Sequence, residues 1–331
     1  MKAMVIREFG SPDVFEFAEI EKPVTQPGEV LIKVVSSSVN PIDTKIRSGA
    51  VAALAPDFPA VLHGDVAGVV EEIGDGVTSL KPGDEVYACA GGIKGLGGAL
   101  AEYMVADAEL VAPKPKNLSM TEAGVLPLVT ITAWNAIVDR ANVRPGQKVL
   151  VHGGTGGVGH IGVQLAKQVG AEVYTTVSTD RKGAAAKELG ADHVILYKDV
   201  SVSDYVEEHT GGKGFDVVFD TVGTHTMDHS FQAAADNGIV VTIAARSTHD
   251  LSPLHGKGLA LHVVFMLLPL LRGRGRSAHR EVLRQTAMLV EDGKLRPLVD
   301  EETFSLEDVG KAHARLEAGK AMGKIAVVNK W

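Results

Sequence analysis

The 331-residue chain has one cysteine, Cys89. No disulfide can form within it and no Cys-rich metal site can be built. Such sparse cysteine fits a reducing compartment. Aromatic residues make up only 5%, which argues against a carbohydrate-binding or base-stacking surface. Cations are the minority: Lys and Arg total 33 against 41 Asp and Glu, for a net charge of -8. A general nucleic-acid binder needs a basic surface to neutralise phosphate, so that class is disfavoured. There is also no long apolar run. The most apolar stretch, Leu259 to Leu271, is interrupted by His262 and Pro269. It is shorter than the ~20 residues that span a bilayer, and it reads as a buried strand followed by a loop. The opening residues, Met1 to Glu8, carry no apolar stretch of the signal-peptide kind, so a cytoplasmic protein is expected.

What the chain has in quantity is glycine, 37 residues, and a change of rhythm. The first ~120 residues hold short β-branched runs between Gly, Pro and Asp turns, a pattern that reads as a small barrel. Val30 to Val35 follows the turn Gln26-Pro27-Gly28-Glu29, Val66 to Ile73 ends at Gly74-Asp75-Gly76, and Lys81-Pro82-Gly83-Asp84 feeds a third run. From about Thr121 strands and helices alternate. Strands are expected at Lys148–Val151, Glu172–Val177, His193–Tyr197, Phe215–Asp220 and Ile239–Ile243. Helices are expected at Val158–Val169, Arg181–Leu189, Val202–Glu208 and Thr226–Ala235. Such alternation implies a parallel sheet covered on both faces. A further helix is expected near Ser277–Glu291 and a closing strand at Ile325–Val328. Arg272-Gly273-Arg274-Gly275-Arg276 reads as a solvated basic turn.

The first of the alternating strands runs into His152-Gly153-Gly154-Thr155-Gly156-Gly157-Val158-Gly159. Gly154, Gly156 and Gly159 match G-x-G-x-x-G, set between a strand and a helix with another strand within ~30 residues. Small residues there let the backbone approach a pyrophosphate, and the amides opening the helix supply donors and positive potential. The end of the following strand selects the dinucleotide. An Asp or Glu about 20 residues after the first glycine binds the NAD ribose diol. This chain instead has Ser178-Thr179, with no acid before Asp180, and then Arg181 and Lys182. A hydroxyl with nearby cations suits a 2′-phosphate, so NADP(H) is favoured over NAD.

At this point the sequence resembles the zinc-independent medium-chain dehydrogenases/reductases of the quinone oxidoreductase (zeta-crystallin-like) type. The likeness runs from Met1-Lys2-Ala3-Met4-Val5 through Ser38-Val39-Asn40-Pro41-Ile42-Asp43-Thr44-Lys45-Ile46-Arg47-Ser48-Gly49, Gly64-Asp65-Val66-Ala67-Gly68 and Pro82-Gly83-Asp84-Glu85-Val86. It continues through Gly98 to Tyr103, Thr130 to Trp134, Asp220-Thr221-Val222-Gly223 and Gly323-Lys324-Ile325-Ala326-Val327-Val328. The resemblance implies an α/β protein with a GroES-like β-barrel catalytic domain (1–123 and 264–331), a Rossmann NADP-binding domain (124–263) and an active cleft between them. It implies hydride transfer from NADPH to a small-molecule quinone or α,β-unsaturated carbonyl, and a homodimer, with no nucleic-acid or membrane partner. By resemblance, Asn40, Thr132, Gly156, Gly157 and Val158 contact the nicotinamide and pyrophosphate, beside Gly154, Thr155 and Gly159 of the same turn. Ser178, Lys182 and Tyr197 surround the 2′-phosphate. Gly223, Ile243 and Ala244 approach the riboses, and Lys324 is a further cofactor candidate.

The zinc branch of the superfamily carries an early Cys ligand and a G-H-E segment. Here no Cys precedes residue 89, and the segment reads His63-Gly64-Asp65, with Gly64 at the ligand position. No metal is therefore expected. His63 reads as a packing histidine and Cys89 as a buried small hydrophobe. No Ser/His/Asp or Cys/His spacing among twelve scattered histidines points to a hydrolase. The expected catalytic residues are Asn40, as donor to the acceptor oxygen, and Asp43 and Lys45, which would organise or protonate that oxygen through water. The family often has Tyr where this chain has Lys45. Two alternatives remain open at this level: an enoyl or acryloyl thioester reductase, and a non-catalytic NADP-binding sensor or structural protein.

Overall fold

The turn Gln26–Glu29 closes through the Glu29 amide on the Gln26 carbonyl at 3.0 Å, with Gly28 at φ 83°. Pro then Gly at the centre of a turn gives type II geometry, which only glycine adopts cheaply at its third position. It launches the longest strand of its sheet. The computed structural model describes residues 1–331 and divides into two compact units: Met1–Leu128 with Leu267–Gly293 and Val299–Trp331, and Val129–Met266 with Lys294–Leu298.

In chain order, the first unit opens with β1 (Lys2–Val5) and β2 (Glu16–Glu19), then β3 (Glu29–Ser38), helix α1 (Pro41–Arg47), β4 (Asp65–Ile73), β5 (Glu85–Cys89), β6 (Tyr103–Asp107) and β7 (Ala112–Pro113). Two short helices follow, α2 (Met120–Gly124) and α3 (Pro127–Trp134), the latter leading into the second unit. That unit contains β8 (Lys148–His152), α4 (Gly159–Val169), β9 (Glu172–Val177), α5 (Asp180–Glu188), β10 (His193–Leu196), α6 (Val202–Thr210), β11 (Phe215–Asp220), α7 (His225–Ala233), β12 (Ala234–Thr242), α8 (Ser252–Lys257) and β13 (Ala260–Val263). The chain returns to the first unit with α9 (Leu268–Arg272), α10 (Ser277–Glu291), β14 (Phe304–Ser305), α11 (Val309–Glu317) and β15 (Ala326–Val328).

Strand β3 organises the first unit because it changes partners along its length. Glu29–Lys33 pairs with β6, Val30–Ser36 with β4, and Ser36–Ser38 with β15, all antiparallel. Irregularities at Leu31/Ile32 and Val34/Ser36 bend it, as extra residues in one strand do. Val30, Leu31 and Ile32 are all fully buried, so the sheet is covered on both faces there. Amphipathic α10 lays His279, Val282, Leu283, Thr286 and Val290 inward, at helical spacing.

The second unit is a six-stranded parallel sheet in the order β10-β9-β8-β11-β12-β13. This is the doubly wound dinucleotide-binding order, whose ligands lie beyond the carboxyl ends of the strands where the order reverses, here beside β8. Two expectations need correction. Leu259–Leu271 is a half-exposed edge strand, β13, followed by a helix, with Val263 50% exposed. The edge pairs on one side only, and Pro269 starts α9 because its fixed φ and missing N–H cost nothing in a first turn. Lys294–Leu298 packs with the second unit, because Gln164 on α4 brackets Arg296, donating to its carbonyl and accepting from its amide, each at 2.9 Å. No helix is long and apolar enough to cross a membrane.

Candidate active site

In the second unit the glycine turn is shaped by its neighbours. The Thr175 hydroxyl is fixed by donating to the Val151 carbonyl at 2.7 Å. A Cβ on Gly154 would overlap that hydroxyl, and one on Gly159 would overlap the Gly153 carbonyl. These two glycines are required by the protein's own packing. Gly156 differs: its Cβ would meet only the Gly153 carbonyl, at 3.2 Å. The open space beside Gly156, at the mouth of α4, would admit a phosphate, so the residues present suit a dinucleotide.

The carboxyl ends of β8, β9 and β11 are tied together around this turn. The Gly153 amide donates to Thr176, whose hydroxyl also bonds His152 Nδ1 at 3.1 Å. Burial pushes the His152 imidazole down to about 3, so it is neutral. The Thr221 hydroxyl donates to the His152 carbonyl at 2.6 Å. Asp220 accepts the Val222 and Gly223 amides at 2.9 Å each and holds Gly223 at φ 79°. A Cβ on Gly223 would collide with Ala244, so Gly223, Ile243 and Ala244 form one surface.

Ser178 and Tyr197 end neighbouring strands, and Lys182 lies in the first turn of α5. Parallel pairing sets Leu196 opposite Val177, so Ser178 and Tyr197 sit at adjacent strand ends. Thr179 caps α5 by accepting the Lys182 amide at 3.3 Å, which opens the helix at this edge. Tyr197 is 50% exposed. Thr132 is buried in α3.

In the first unit Asn40, Asp43 and Lys324 join a buried network that the sequence did not reveal as a whole. Asp65 is its centre. Its Oδ2 accepts from the Ser38 hydroxyl at 2.7 Å and from Asn40 Nδ2 at 2.8 Å, and its Oδ1 from the Leu128 amide at 2.8 Å. The Lys324 ammonium lies 3.5 Å from Asp65 and donates to the Val39 carbonyl at 2.9 Å and to Asn40 Oδ1. Asn40 is thus held through both ends of its amide, at 0% exposure. Its backbone amide donates to Asp43 Oδ2 at 2.7 Å, a reciprocal cap that starts α1 at Pro41. Burial is the main cause that raises the Asp43 carboxyl to about 7, with Asp65 adding to it. Burial also lowers Lys324, against the pull of Asp65 and Asp43. Lys45 is on the exposed side of α1 and takes no part in this network.

Beside the network lies a neutral histidine pair. The Ser37 hydroxyl donates to the Asp65 carbonyl at 2.6 Å, so it accepts from His63 Nδ1 at 3.2 Å. His63 Nε2 is then bare and accepts from His313 Nε2 at 2.9 Å, with the rings stacked 22° apart. Burial lowers both imidazoles, His313 to about 3. This donor set does not fit zinc. His63 spends both nitrogens inside the protein, Gly64 offers no ligand, and a lysine ammonium already sits where a cation would balance Asp65. Cys89 is buried beside Asp65, and both burial and that carboxylate raise its thiol.

The residues missed by sequence reasoning are Asp65, Ser37, Ser38, His313 and Arg47. Arg47 is 2% exposed and donates to Glu317 at 2.6 Å. One signal was present. Asp65 and Lys324 are single charges at the mouths of apolar runs, Val66–Val70 and Ile325–Val328, and a charge drawn under by a buried strand needs a partner.

The two folds and the glycine turn define a nucleotide-dependent oxidoreductase. Residues 26–116 match the alcohol dehydrogenase GroES-like domain and residues 189–327 the zinc-binding dehydrogenase family. The chain is 35% identical to 2-methylene-furan-3-one reductase of Solanum lycopersicum, across 99% of this chain and 79% of that protein. A solved alcohol dehydrogenase superfamily protein from Novosphingobium aromaticivorans is 40% identical with a TM-score of 0.94, covering 99% of both chains. Escherichia coli quinone oxidoreductase, solved complexed with NADPH, is 27% identical with a TM-score of 0.89, covering 99% of this chain and all of that one. The chain belongs to the quinone oxidoreductase-like family of the medium-chain dehydrogenase/reductase superfamily.

Proposed function

We propose that the chain is an NADPH-dependent reductase that delivers hydride to a quinone or an α,β-unsaturated carbonyl without zinc. The observation that carries the cofactor choice is that Ser178 and Tyr197 sit at adjacent strand ends, next to the first turn of α5 that carries Lys182, with no carboxylate before Asp180. Bound NADPH supplies the hydride. The amides around Gly156 and the opening turn of α4 hold the pyrophosphate, with Gly154, Thr155, Gly157, Val158 and Gly159 shaping its seat. Gly223, Ile243 and Ala244 offer a close, mostly backbone surface to the riboses.

On the acceptor side, Asn40 is the orienting group. Its amide is fixed by Lys324 and Asp65, which leaves one N–H of Nδ2 to stabilise negative charge developing on an acceptor oxygen. Asp43 accepts the Asn40 backbone amide at 2.7 Å and acts through Asn40 by setting the charge of the network. Lys45 is solvent-facing and serves proton exchange through water. Thr132 and Lys324 complete the proposed cofactor contacts. The names of the tomato reductase and the E. coli quinone oxidoreductase support this acceptor class. The thioester alternative would need a basic entrance. Arg276 is spent on Asp107 at 2.8 Å and on the Leu270 carbonyl at 3.0 Å, which leaves only Arg272 and Arg274 of that tract facing solvent. A cytoplasmic setting and a homodimer are the expected context.

The test is titration with NADPH and NADH, then loss of nicotinamide absorbance with quinones, enones and acryloyl esters. NADPH is expected to bind more tightly and to be oxidised only with acceptor present. Lys182→Ala should weaken NADPH about tenfold, one charge-assisted bond, and leave NADH unchanged. Equal loss for both nucleotides would overturn the 2′-phosphate reading. NADPH binding with no turnover on any acceptor would favour the sensor alternative.

A further inference from the structure

The loop after β12 brings together three residues that the spacing of the sequence did not connect. The Ser247 hydroxyl lies 2.5 Å from His249 Nε2, and His249 Nδ1 lies 2.9 Å from Asp228 Oδ1 on α7. A carboxylate only accepts, so Nδ1 carries a proton towards Asp228. In the neutral imidazole Nε2 then accepts from the Ser247 hydroxyl. This is the order and tautomer that turn a serine into a nucleophile, recognised by geometry and roles irrespective of fold.

The surroundings hold the arrangement. The His249 side chain is 8% exposed and meets the Phe231 ring edge-on at 6.2 Å. Local turns bound the loop, with the Ala244 amide on the Thr242 hydroxyl at 3.2 Å and Ser252 on Asp250 at 2.6 and 2.9 Å. Ser247 itself is exposed. The backbone amides of Ser247 and Thr248 make no hydrogen bond within the chain and lie on an exposed stretch.

We propose that Ser247, His249 and Asp228 form a second site on this protein, a shallow acyl-transfer centre that hydrolyses small activated esters. Ser247 Oγ attacks the acyl carbon while its proton passes to His249 Nε2. The ester C–O bond then breaks, and His249 returns that proton to the departing alcohol or phenol. Water repeats the sequence through His249, releasing the carboxylic acid and restoring the serine. Asp228 keeps Nδ1 protonated and stabilises the imidazolium, although its 59% exposure makes it a weaker partner than a buried carboxylate. The open setting admits short acyl groups with good leaving groups. The three residues of the site are distinct from those assigned to the proposed reductase activity, although their loop begins at Ala244 of the ribose surface.

The test is p-nitrophenolate release from p-nitrophenyl acetate by the full-length protein and by Ser247→Ala, His249→Gln and Asp228→Asn, with mass analysis of acid-quenched digests. The expected result is release that falls roughly 100-fold in S247A and H249Q, the usual size of a lost general base, with a smaller fall in D228N. An acetyl group on the Ser247 peptide should appear in the wild type and vanish in S247A, with NADPH binding unchanged in all three. Release in S247A at the wild-type rate, or acetyl found only on lysines or other residues, overturns the proposal. So does release by the wild type no faster than by an equal concentration of free imidazole.

Discussion

Replacing Lys324 with Met tests the logic of the buried network. The ammonium is 3% exposed and stands 3.5 Å from Asp65, which is 0% exposed. At an effective dielectric of 20 the attraction is about 5 kcal/mol. Methionine keeps much of the volume and removes only the charge. Asp65 keeps Ser38, Asn40 and the Leu128 amide but loses its counter-charge, and Val39 and Asn40 lose a donor. Breaking a buried pair from one side costs roughly 3–5 kcal/mol, consistent with the Coulomb figure. The melting temperature of Lys324→Met should therefore fall by roughly 10 °C in a thermal scan followed by circular dichroism. Adding Asp65→Asn should cost less than it does in the wild type, since the stranded charge is gone. The double variant should be at least 1 kcal/mol more stable than the sum of the singles. A Lys324→Met protein that melts within a few degrees of the wild type would refute the claim that the pair is load-sharing and buried.

Two more outcomes follow from the geometry. Gly156→Ala should leave stability within about 1 kcal/mol, because the new Cβ meets one carbonyl at 3.2 Å, yet weaken NADPH at least tenfold by filling the phosphate seat; unchanged affinity by fluorescence titration would remove Gly156 from that seat. The Asp43 carboxyl titrates at about 7 in the folded protein against an ordinary value of 3.8. The folded state therefore binds the extra proton between those values, and stability falls as pH rises from about 4 to about 7, by roughly 4 kcal/mol in all. Asp43→Asn should flatten urea midpoints measured across that window, and an unchanged slope would show that Asp43 is ionised at all those values.

Much of the second unit was legible because its signals are local. A strand of 4–6 residues, a glycine turn and a helix cap each depend on neighbours within one turn. Glu172–Val177 and Phe215–Asp220 form where the pattern places them, as does Ser277–Glu291 in the first unit. Leu259–Leu271 misled because apolar content does not tell a buried strand from an edge strand leading into a helix. On the catalytic side, Asn40 and Asp43 stood out because they lie in one contiguous segment, Ser38 to Gly49, that carries the family resemblance. Asp65 and His313 did not, because their partners arrive from distant segments.

The sequence by itself determined the dinucleotide turn, the alternation that makes a parallel sheet, and the absence of a carboxylate at the end of β9, since each is written in consecutive residues. Tertiary structure decided which polar groups meet. Antiparallel pairing of β15 with β3 sets Ala326 opposite Ser38 and so carries Lys324 to Asn40 and Asp65. The return of α11 brings His313 to His63, and the packing of the loop after β12 on α7 sets His249 against Asp228. A buried charge or imidazole must find its complement, but the complement is chosen by strand order and helix packing across the chain, which no local pattern encodes.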